Sequence, residues 1–357
     1  MSDQSFVERV RGSLLGGAAG DALGAGVEFM SLAEIREQIG PAGVEDYVPA
    51  YGRTGAITDD TQMTLFTAEG IMRAWVRSSL RGVCGVSGVL HHAYLRWLLT
   101  QGERPASAIE VGTDGWLFDV PALHSRRAPG QTCLSALRAS DSFGSPSIAR
   151  NDSKGCGGVM RVAPVGLFAP AIGEDVEVFR IASDAAALTH GHPSGYLAAG
   201  YLAVVVARLV RGEDLLAGLD AADRCLQGYR DASEVQRAVD AARTMASRGR
   251  PTPERLEELG GGWVAEEALA IAICGAMVAR DFSDGVFLAV NHSGDSDSTG
   301  SIAGNLLGAH LGIGAIPSAW LDCLEMREEI DRVAIDLATT ALGEREPDGA
   351  WQSYPGW

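Results

Sequence analysis

The stretch GSLLGGAAGDALG at residues 12–24 decides how this chain folds, and GSIAGNLLGAHLG at residues 300–312 repeats its spacing. A glycine inside a helix costs about 1 kcal/mol relative to alanine, so this many glycines require a structural reason. We expect two helices whose backbones approach other backbones closely, with each other as candidate partners. The last glycine of each stretch would serve equally well as a helix cap. On a helix, a spacing of four places these glycines in one stripe: Gly12, Gly16, Gly20 and Gly24, and Gly300, Gly304, Gly308 and Gly312.

Apolar residues at helical spacing extend over most of the chain. Ser194–Val210 is apolar nearly all round, which predicts a buried central helix. The best strand candidate, Val204–Val206, lies inside that run, and strands do not alternate with helices. We therefore predict an all-α fold. The other predicted helices cover residues 6–15, Thr61–Val76, Val235–Ala246, Val264–Val278, Thr299–Leu311 and Leu321–Ala338.

Segments with poor helical patterns are predicted to be loops, which on rigid scaffolds often carry function. No flexible linker or long proline-rich stretch divides the chain, and we expect Gly343–Trp357 to be an irregular C-terminal tail. The predicted loops are Pro41–Thr58, Pro121–Gln131, Ser140–Gly158 and Arg248–Gly262.

The amino-acid composition argues against two classes of binding partner. The 357 residues carry a formal net charge of −17 and a single lysine, Lys154, which argues against nucleic acid and against an anionic membrane surface. The six cysteines include no CxxC pair, and the N-terminus lacks the pattern of a signal peptide. We expect a cytoplasmic monomer with reduced thiols.

Two acidic motifs each precede a predicted helix: Thr58-Asp59-Asp60-Thr61 and Ser293-Gly294-Asp295-Ser296-Asp297-Ser298-Thr299. Asp, Ser and Thr are good helix N-caps, and capping alone would explain one such residue at each site. Each motif offers several, and neighbouring carboxylates repel each other unless a cation lies between them. Such hard oxygen donors suit Mg²⁺, Ca²⁺ or Mn²⁺.

Two further motifs are weaker indications of a binding site. Gly155-Cys156-Gly157-Gly158 could present backbone N–H groups to a diphosphate, or could be a plain glycine-rich turn. Thr189-His190-Gly191-His192-Pro193 offers His190 as a residue that faces a ligand, although a core histidine is the usual case.

Taken together and in order, these motifs resemble the ADP-ribosylglycohydrolase family, which includes the ADP-ribosylarginine hydrolases. Residues 12–24 followed by Val27-Glu28-Phe29 resemble the opening of that family, and the two acidic motifs resemble its metal motifs. Residues 155–161, Thr189-His190 and residues 262–269 follow in the family's order between them. The resemblance extends from about Val10 to Leu311.

The resemblance implies a single compact, orthogonal helical domain over residues 1–342 that holds two Mg²⁺ ions, or Mn²⁺. Glu28 matches a carboxylate close to the metals. By position, the implied metal ligands are Thr58, Asp59, Asp60, Asp295, Asp297 and Ser298. The residues implied to contact ADP-ribose are Gly155, Cys156, Gly157, Gly158, His190 and Trp263. Cys156 departs from the asparagine that is more common in that loop.

The implied activity is hydrolysis of the N-glycosidic bond of ADP-ribosylated arginine on proteins, which releases ADP-ribose. Cleavage of such a bond builds oxocarbenium character on the ribose and requires a carboxylate that handles a proton. The candidates are Glu28, Asp60 and Asp295. The alternatives are another ADP-ribose linkage (to Ser, in O-acetyl-ADP-ribose or at a nucleic-acid end), a binding protein on the same fold, or a helical Mg²⁺-dependent phosphohydrolase.

Overall fold

The computed structural model describes residues 2–107, 109–141 and 148–356, and in these ranges the chain is built from helices without strands. The first half contains α1 (Asp3–Gly24), α2 (Leu32–Gln38), α3 (Asp59–Arg81), α4 (Val86–Thr100), α5 (Gln131–Arg138), α6 (Ala163–Leu167), α7 (Ala169–Ile172), α8 (Asp175–Ala187) and α9 (Pro193–Val210). The predicted all-α class is confirmed.

The second half is also helical, and over the described ranges four short 3₁₀ segments lie between helices of the two halves. Its helices are α10 (Leu215–Leu226), α11 (Ser233–Ser247), α12 (Pro253–Leu256), α13 (Ala265–Val278), α14 (Phe282–Val290), α15 (Ser296–Leu311), α16 (Ser318–Cys323), α17 (Arg327–Ala341) and α18 (Pro347–Trp351). The 3₁₀ segments are Pro121–His124, Cys156–Gly158, Glu257–Leu259 and Ile313–Ala315.

Helices α1 and α15 pack with their backbones in direct contact, as the two glycine stripes predicted. A Cβ atom placed on Gly304 would lie 2.0 Å from the carbonyl oxygen of Gly16, and one on Gly308 would contact the carbonyl oxygen of Gly12 as closely. Gly24 also belongs to this contact, because its Cβ would lie 2.3 Å from the backbone nitrogen of Asp297. The two helices run in opposite directions, so the end of α1 meets the start of α15.

Helix α9 forms the centre of the core, in agreement with its apolar sequence. Its N-cap is His192, whose Nδ1 accepts from the backbone N–H of Ser194, and Gly212, with φ of +90°, follows its end. By length and composition alone α9 could cross a membrane, but 83 % of it is buried among the other helices. Its apolar surface is therefore covered by protein.

The predicted helix Leu321–Ala338 is wrong in one respect, because it is divided between α16 and α17. The buried carboxylate of Glu325 accepts hydrogen bonds from Arg53, Arg127 and the backbone N–H of Ile57. The next residue, Met326, has a φ of +59°, which ends any continuous helix. Helical periodicity continues across the break, but the partners of the carboxylate come from distant parts of the chain.

The segment after residue 342 also differs from the irregular tail that we expected. It contains α18 and then Tyr354, which is fully buried and donates a hydrogen bond to the Asp336 carboxylate at 2.7 Å. The backbone of Gly356 lies against Arg77 on α3. The segment therefore packs on the helical body through backbone groups and through side chains that include Tyr354 and Arg345, which pairs with Asp336.

Candidate functional site

The site begins where three helix ends meet. The contact between α1 and α15 brings the end of α1 to the start of α15, and Asp21 joins the start of α3 to them. The buried Asp21 carboxylate accepts hydrogen bonds from the backbone N–H groups of Thr58 and Thr61 and from the Thr61 hydroxyl. Because Thr58 is the N-cap of α3, Asp21 holds the acidic first turn of α3 beside the acidic first turn of α15.

The two acidic motifs line the same cleft, which has a volume of about 460 Å³. Sequence spacing alone could not show that they meet, and the fold brings them together. The opposite parts of the wall come from the loop before α5, from the glycine loop and from an aromatic pair. The lining residues are Glu28, Phe29, Asp59, Asp60, Ala128, Pro129, Gly130, Gln131, Cys156, Gly157, Met160, Trp263, Asp295, Asp297 and Ser298.

The carboxylates in the cleft are crowded. Glu28, Asp295 and Asp297 each offer an oxygen, and these three atoms lie within 4.8 Å of one another. Burial raises the pKa of Glu28 to about 10, and the charges of Asp297 and Asp295 add to the shift. Burial likewise raises the pKa of Asp59, Asp60 and Asp295 well above the ordinary range of an aspartate.

The donor set fits a divalent cation. In the described parts of the chain, Asp60 Oδ1 and Glu28 Oε2 are buried oxygens without a hydrogen-bond partner. An unpaired buried carboxylate oxygen is costly, and a bound cation removes that cost. A group made mostly of carboxylate and hydroxyl oxygens suits Mg²⁺ or Mn²⁺.

The glycine loop is fixed to the start of α13 by two backbone hydrogen bonds. The N–H of Cys156 donates to the carbonyl of Trp263 at 3.1 Å, and the N–H of Ala265 donates to the carbonyl of Lys154 at 2.8 Å. This pairing sets Trp263 at the cleft, where its ring stacks on that of Phe29 with centroids 5.3 Å apart. Both rings are substantially exposed, so the mouth of the cleft offers an aromatic face.

His190 lies behind the glycine loop, not on the cleft wall. It is 1 % exposed, its Nδ1 is 2.8 Å from the Thr189 hydroxyl, and a Cβ on Gly157 would lie 3.2 Å from its ring. Burial, reinforced by the charge of Arg161, lowers the pKa of His190 to about 3, so the ring is neutral. His190 therefore supports the loop from below as an uncharged group.

The predicted site residues divide into two groups. Those that line the cleft are Glu28, Asp59, Asp60, Cys156, Gly157, Trp263, Asp295, Asp297 and Ser298. Four others do not line the cleft. The hydroxyl of Thr58 accepts from the backbone N–H of Asp60 as the cap of α3, and the two ends of the glycine loop, Gly155 and Gly158, lie against the ring of His190 behind the wall.

Sequence reasoning missed Asp21 and the wall formed by residues 128–131. Asp21 is a charged residue between two stripe glycines of a buried helix, and that position was the available indication of a special role. The wall lies in the predicted loop Pro121–Gln131. The backbone N–H of Gly130 donates to Asp59 Oδ2 at 3.1 Å, and the N–H of Asp59 donates to the carbonyl of Arg127.

The stability of the cation-free protein should fall as the pH rises from 7 to 8.5. The cleft carboxyl groups have a higher pKa in the folded protein than in an unfolded chain, up to about 10 for Glu28. Below about pH 4 these groups are protonated in both states, and the folded protein has its full stability. As the pH rises toward the folded pKa values, the unfolded chain releases protons that the folded protein retains, and stability is lost. Each carboxyl that stays protonated contributes a slope of about 1.4 kcal/mol per pH unit.

Urea unfolding in EDTA at pH 7, 7.5, 8 and 8.5 would measure this loss. The buried histidines oppose this loss only near pH 7, because they are neutral in the folded protein while the histidines of an unfolded chain are still partly protonated there. Their contribution fades by pH 8, so the fall between pH 7.5 and pH 8.5 is the decisive measurement. Added Mg²⁺ should remove most of the slope, because a bound cation favours the ionised carboxylates. A flat profile in EDTA would contradict the prediction.

The fold and the cleft together define a class of protein: an all-α domain whose cleft gathers buried carboxylates beside a glycine loop and an aromatic pair. Residues 2–347 match the profile of the ADP-ribosylglycohydrolase family, so the chain belongs to this family. Membership supports an ADP-ribosyl glycohydrolase activity on ADP-ribosylated substrates, and the resemblance found in the sequence is confirmed.

Relatives over nearly the whole chain agree with this assignment. The chain is 27% identical over 335 residues to an ADP-ribosyl-(dinitrogen reductase) glycohydrolase of Rhodospirillum rubrum. This alignment covers 92% of this chain and 94% of that protein. It is 23% identical to the ADP-ribosylarginine hydrolase Tri1 of Serratia proteamaculans, with 94% of this chain and 80% of that protein covered. A solved structure described as an ADP-ribosylglycohydrolase-related protein complex superposes with a TM-score of 0.67 at 27% identity, over 95% of this chain and 99% of that chain.

Proposed function

We propose that this protein hydrolyses the N-glycosidic bond between ADP-ribose and an arginine side chain of a modified protein, and that it requires two divalent cations, Mg²⁺ or Mn²⁺. The observation that carries the proposal is the meeting of both acidic motifs, the glycine loop and the aromatic pair in one cleft. A relative that matches 94% of this chain over 80% of its own length is an ADP-ribosylarginine hydrolase, which supports the choice of linkage.

Asp59, Asp60, Asp295, Asp297 and Ser298 would hold the cations, with their oxygens in the first turns of α3 and α15. Bound divalent cations supply charge that can fix sugar hydroxyls and make a water molecule more acidic. The carboxylates keep their places because the helix ends are joined through Asp21 and the glycine contact.

Glu28 is the carboxylate that we assign to proton handling. It lies in the turn after α1, one of its oxygens is unpartnered in the described chain, and it is less buried than Asp60 or Asp295. Asp295 Oδ2 is already engaged by the Cys156 thiol at 2.7 Å, and Asp60 is 2 % exposed. Glu28 can therefore carry a proton between the reacting group and the solvent at the mouth of the cleft.

The remaining walls suit the rest of ADP-ribose. The exposed face of the Phe29–Trp263 pair offers a stacking surface for a purine. Cys156 and Gly157 present a narrow strip of backbone next to the carboxylates, and no side chain at Gly157 blocks the approach of a diphosphate. The cleft could therefore receive the adenine end at the aromatic pair and the distal ribose at the carboxylates.

The test is mass-spectrometric detection of free ADP-ribose from an arginine-ADP-ribosylated protein, first with Mg²⁺ and then with EDTA. We expect release of intact ADP-ribose with Mg²⁺ and almost none with EDTA. Substrates with a serine linkage, O-acetyl-ADP-ribose and ADP-ribosylated nucleic-acid ends serve as controls. Faster release from one of these than from arginine would refute the arginine linkage, and release of AMP or phosphate would refute the glycohydrolase reaction.

A further inference from the structure

The thiol of Cys156 lies among the oxygen donors of the cleft. Cys156 Sγ lies 2.7 Å from Asp295 Oδ2 and 3.6 Å from the Ser298 hydroxyl, and its residue lines the same cleft as Asp60. The N–H of Cys156 is bonded to the carbonyl of Trp263, which holds the backbone of the residue, and the contact with Asp295 places its sulfur in the cleft. A cation bound by Asp295 would therefore have a sulfur atom within its reach.

The neighbouring cysteine shows that this placement is particular to Cys156. Cys133 lies beneath the same glycine loop, but its Sγ is 3.3 Å from the Arg161 guanidinium and 4.0 Å from the carbonyl oxygen of Gly157. A cationic neighbour disfavours binding of a second cation at that sulfur. Cys156 instead faces carboxylates, whose negative charge attracts one.

We propose that the Cys156 sulfur is a ligand of this cation site and raises its affinity for thiophilic divalent cations, such as Zn²⁺ and Co²⁺, more than its affinity for Mg²⁺. The inference rests on the cation site of the proposed function and specifies its chemistry. Thiolate ligands favour softer cations, whereas carboxylate and hydroxyl oxygens alone suit Mg²⁺. On binding, the S–H bond is exchanged for a sulfur–cation bond, and the proton passes to the buffer.

An independent observation indicates that this part of the cleft accepts a ligand. Asp60 is 2 % exposed, and its Oδ1 has no hydrogen-bond partner among the described residues. A buried polar atom in a native structure usually has a partner, so the oxygen is held ready for one that binds in the cleft. Cys156 and Asp60 line the same cleft.

The test is a titration of the full-length, cation-free protein with Co²⁺, followed by absorption spectroscopy. Bound Co²⁺ gives visible bands whatever its ligands, and a Co²⁺–thiolate bond adds a charge-transfer band in the near ultraviolet. We expect both in the wild type. In Cys156→Ser and Cys156→Asn we expect the visible bands to remain and the near-ultraviolet band to disappear. Cys323→Ser removes an exposed thiol that does not line the cleft and should keep both bands.

Calorimetry gives a second readout that does not depend on activity. We expect Cys156→Ser to weaken Zn²⁺ binding at least about tenfold and Mg²⁺ binding by less than about threefold. The inference is overturned if the near-ultraviolet band is absent from the wild type or survives in both Cys156 variants. If the wild type binds no Co²⁺ and no Mg²⁺, the cation site of the proposed function fails as well, so the two failures are distinguishable.

Discussion

Asp60→Asn is expected to lower kcat for ADP-ribose release at least about a thousandfold, and at the same time to stabilise the cation-free protein. Asp60 is not needed as a helix cap, because the hydroxyl of Thr58 performs that role for α3. Its own Oδ1 has no partner in the described structure. The buried carboxyl group is therefore costly in the cation-free protein, whether ionised or protonated, and its benefit appears only when a cation is bound.

The gain in stability follows from the crowding of the carboxylates. Burial raises the pKa of Asp60, and the charges of Asp297, Asp21, Asp59 and Asp295 raise it further. Asparagine has the same shape without the charge, so the free energy of unfolding in EDTA at pH 8 should rise by about 1–2 kcal/mol. In the wild type, Mg²⁺ should raise the midpoint of thermal unfolding, and in Asp60→Asn this rise should largely disappear.

Asp284→Asn is the matched control, because it also removes a buried carboxylate. Asp284 accepts hydrogen bonds from Arg250 and Arg280 and does not line the cleft. We expect the control to be destabilised, to keep its kcat and to keep the stabilisation by Mg²⁺. Wild-type turnover in Asp60→Asn, measured as ADP-ribose released in Mg²⁺, would remove Asp60 from the site.

The packing of α1 on α15 could be predicted from the sequence because its cause is local. Glycine at every fourth position on two helices has few explanations other than a close backbone contact, and Gly12 and Gly308 make that contact. The break between α16 and α17 could not be predicted, because it depends on Glu325 meeting Arg53 and Arg127. Such long-range partners leave no periodic pattern in the sequence.

The candidate site, like the fold, could be predicted from the sequence only in part. Residue types indicated cation binding at Asp59 and Asp295, and the order of the motifs indicated the family. Sequence alone did not distinguish the residues on the cleft wall from those behind it, as His190 shows. The side of a loop on which a residue lies depends on the groups packed beneath that loop. His190 is held behind the glycine loop by the Thr189 hydroxyl, which itself accepts from the Arg161 guanidinium. Asp21 was missed because its role depends on distant backbone N–H groups.

Gly304→Ala is expected to have the largest effect on stability, lowering the free energy of unfolding by about 3 kcal/mol or more. The added methyl would lie 2.0 Å from the carbonyl oxygen of Gly16 and 2.6 Å from its carbonyl carbon. These are backbone atoms of a buried helix, so no side chain can turn aside to make room. The two helices would have to separate by more than an ångström along their contact.

The same separation should weaken the cation site, because the contact continues toward Gly24 and the start of α15. If Gly304→Ala folds, we expect calorimetry to show weaker Mg²⁺ binding, although the substituted residue does not line the cleft. Such coupling would show that the glycine contact positions the carboxylates, whereas undisturbed Mg²⁺ binding would limit its role to stability.

Gly314→Ala is the matched control for the loss of stability. Gly314 is exposed, and a Cβ placed on it would have no atom within 4 Å among the described residues. Its free energy of unfolding should change by less than about 0.5 kcal/mol. Urea unfolding of the wild type and both variants in EDTA measures the comparison. A loss below about 1 kcal/mol in Gly304→Ala would show that α1 and α15 can separate at little cost. In that case the glycine stripes would not be the feature that holds the fold and its cleft together.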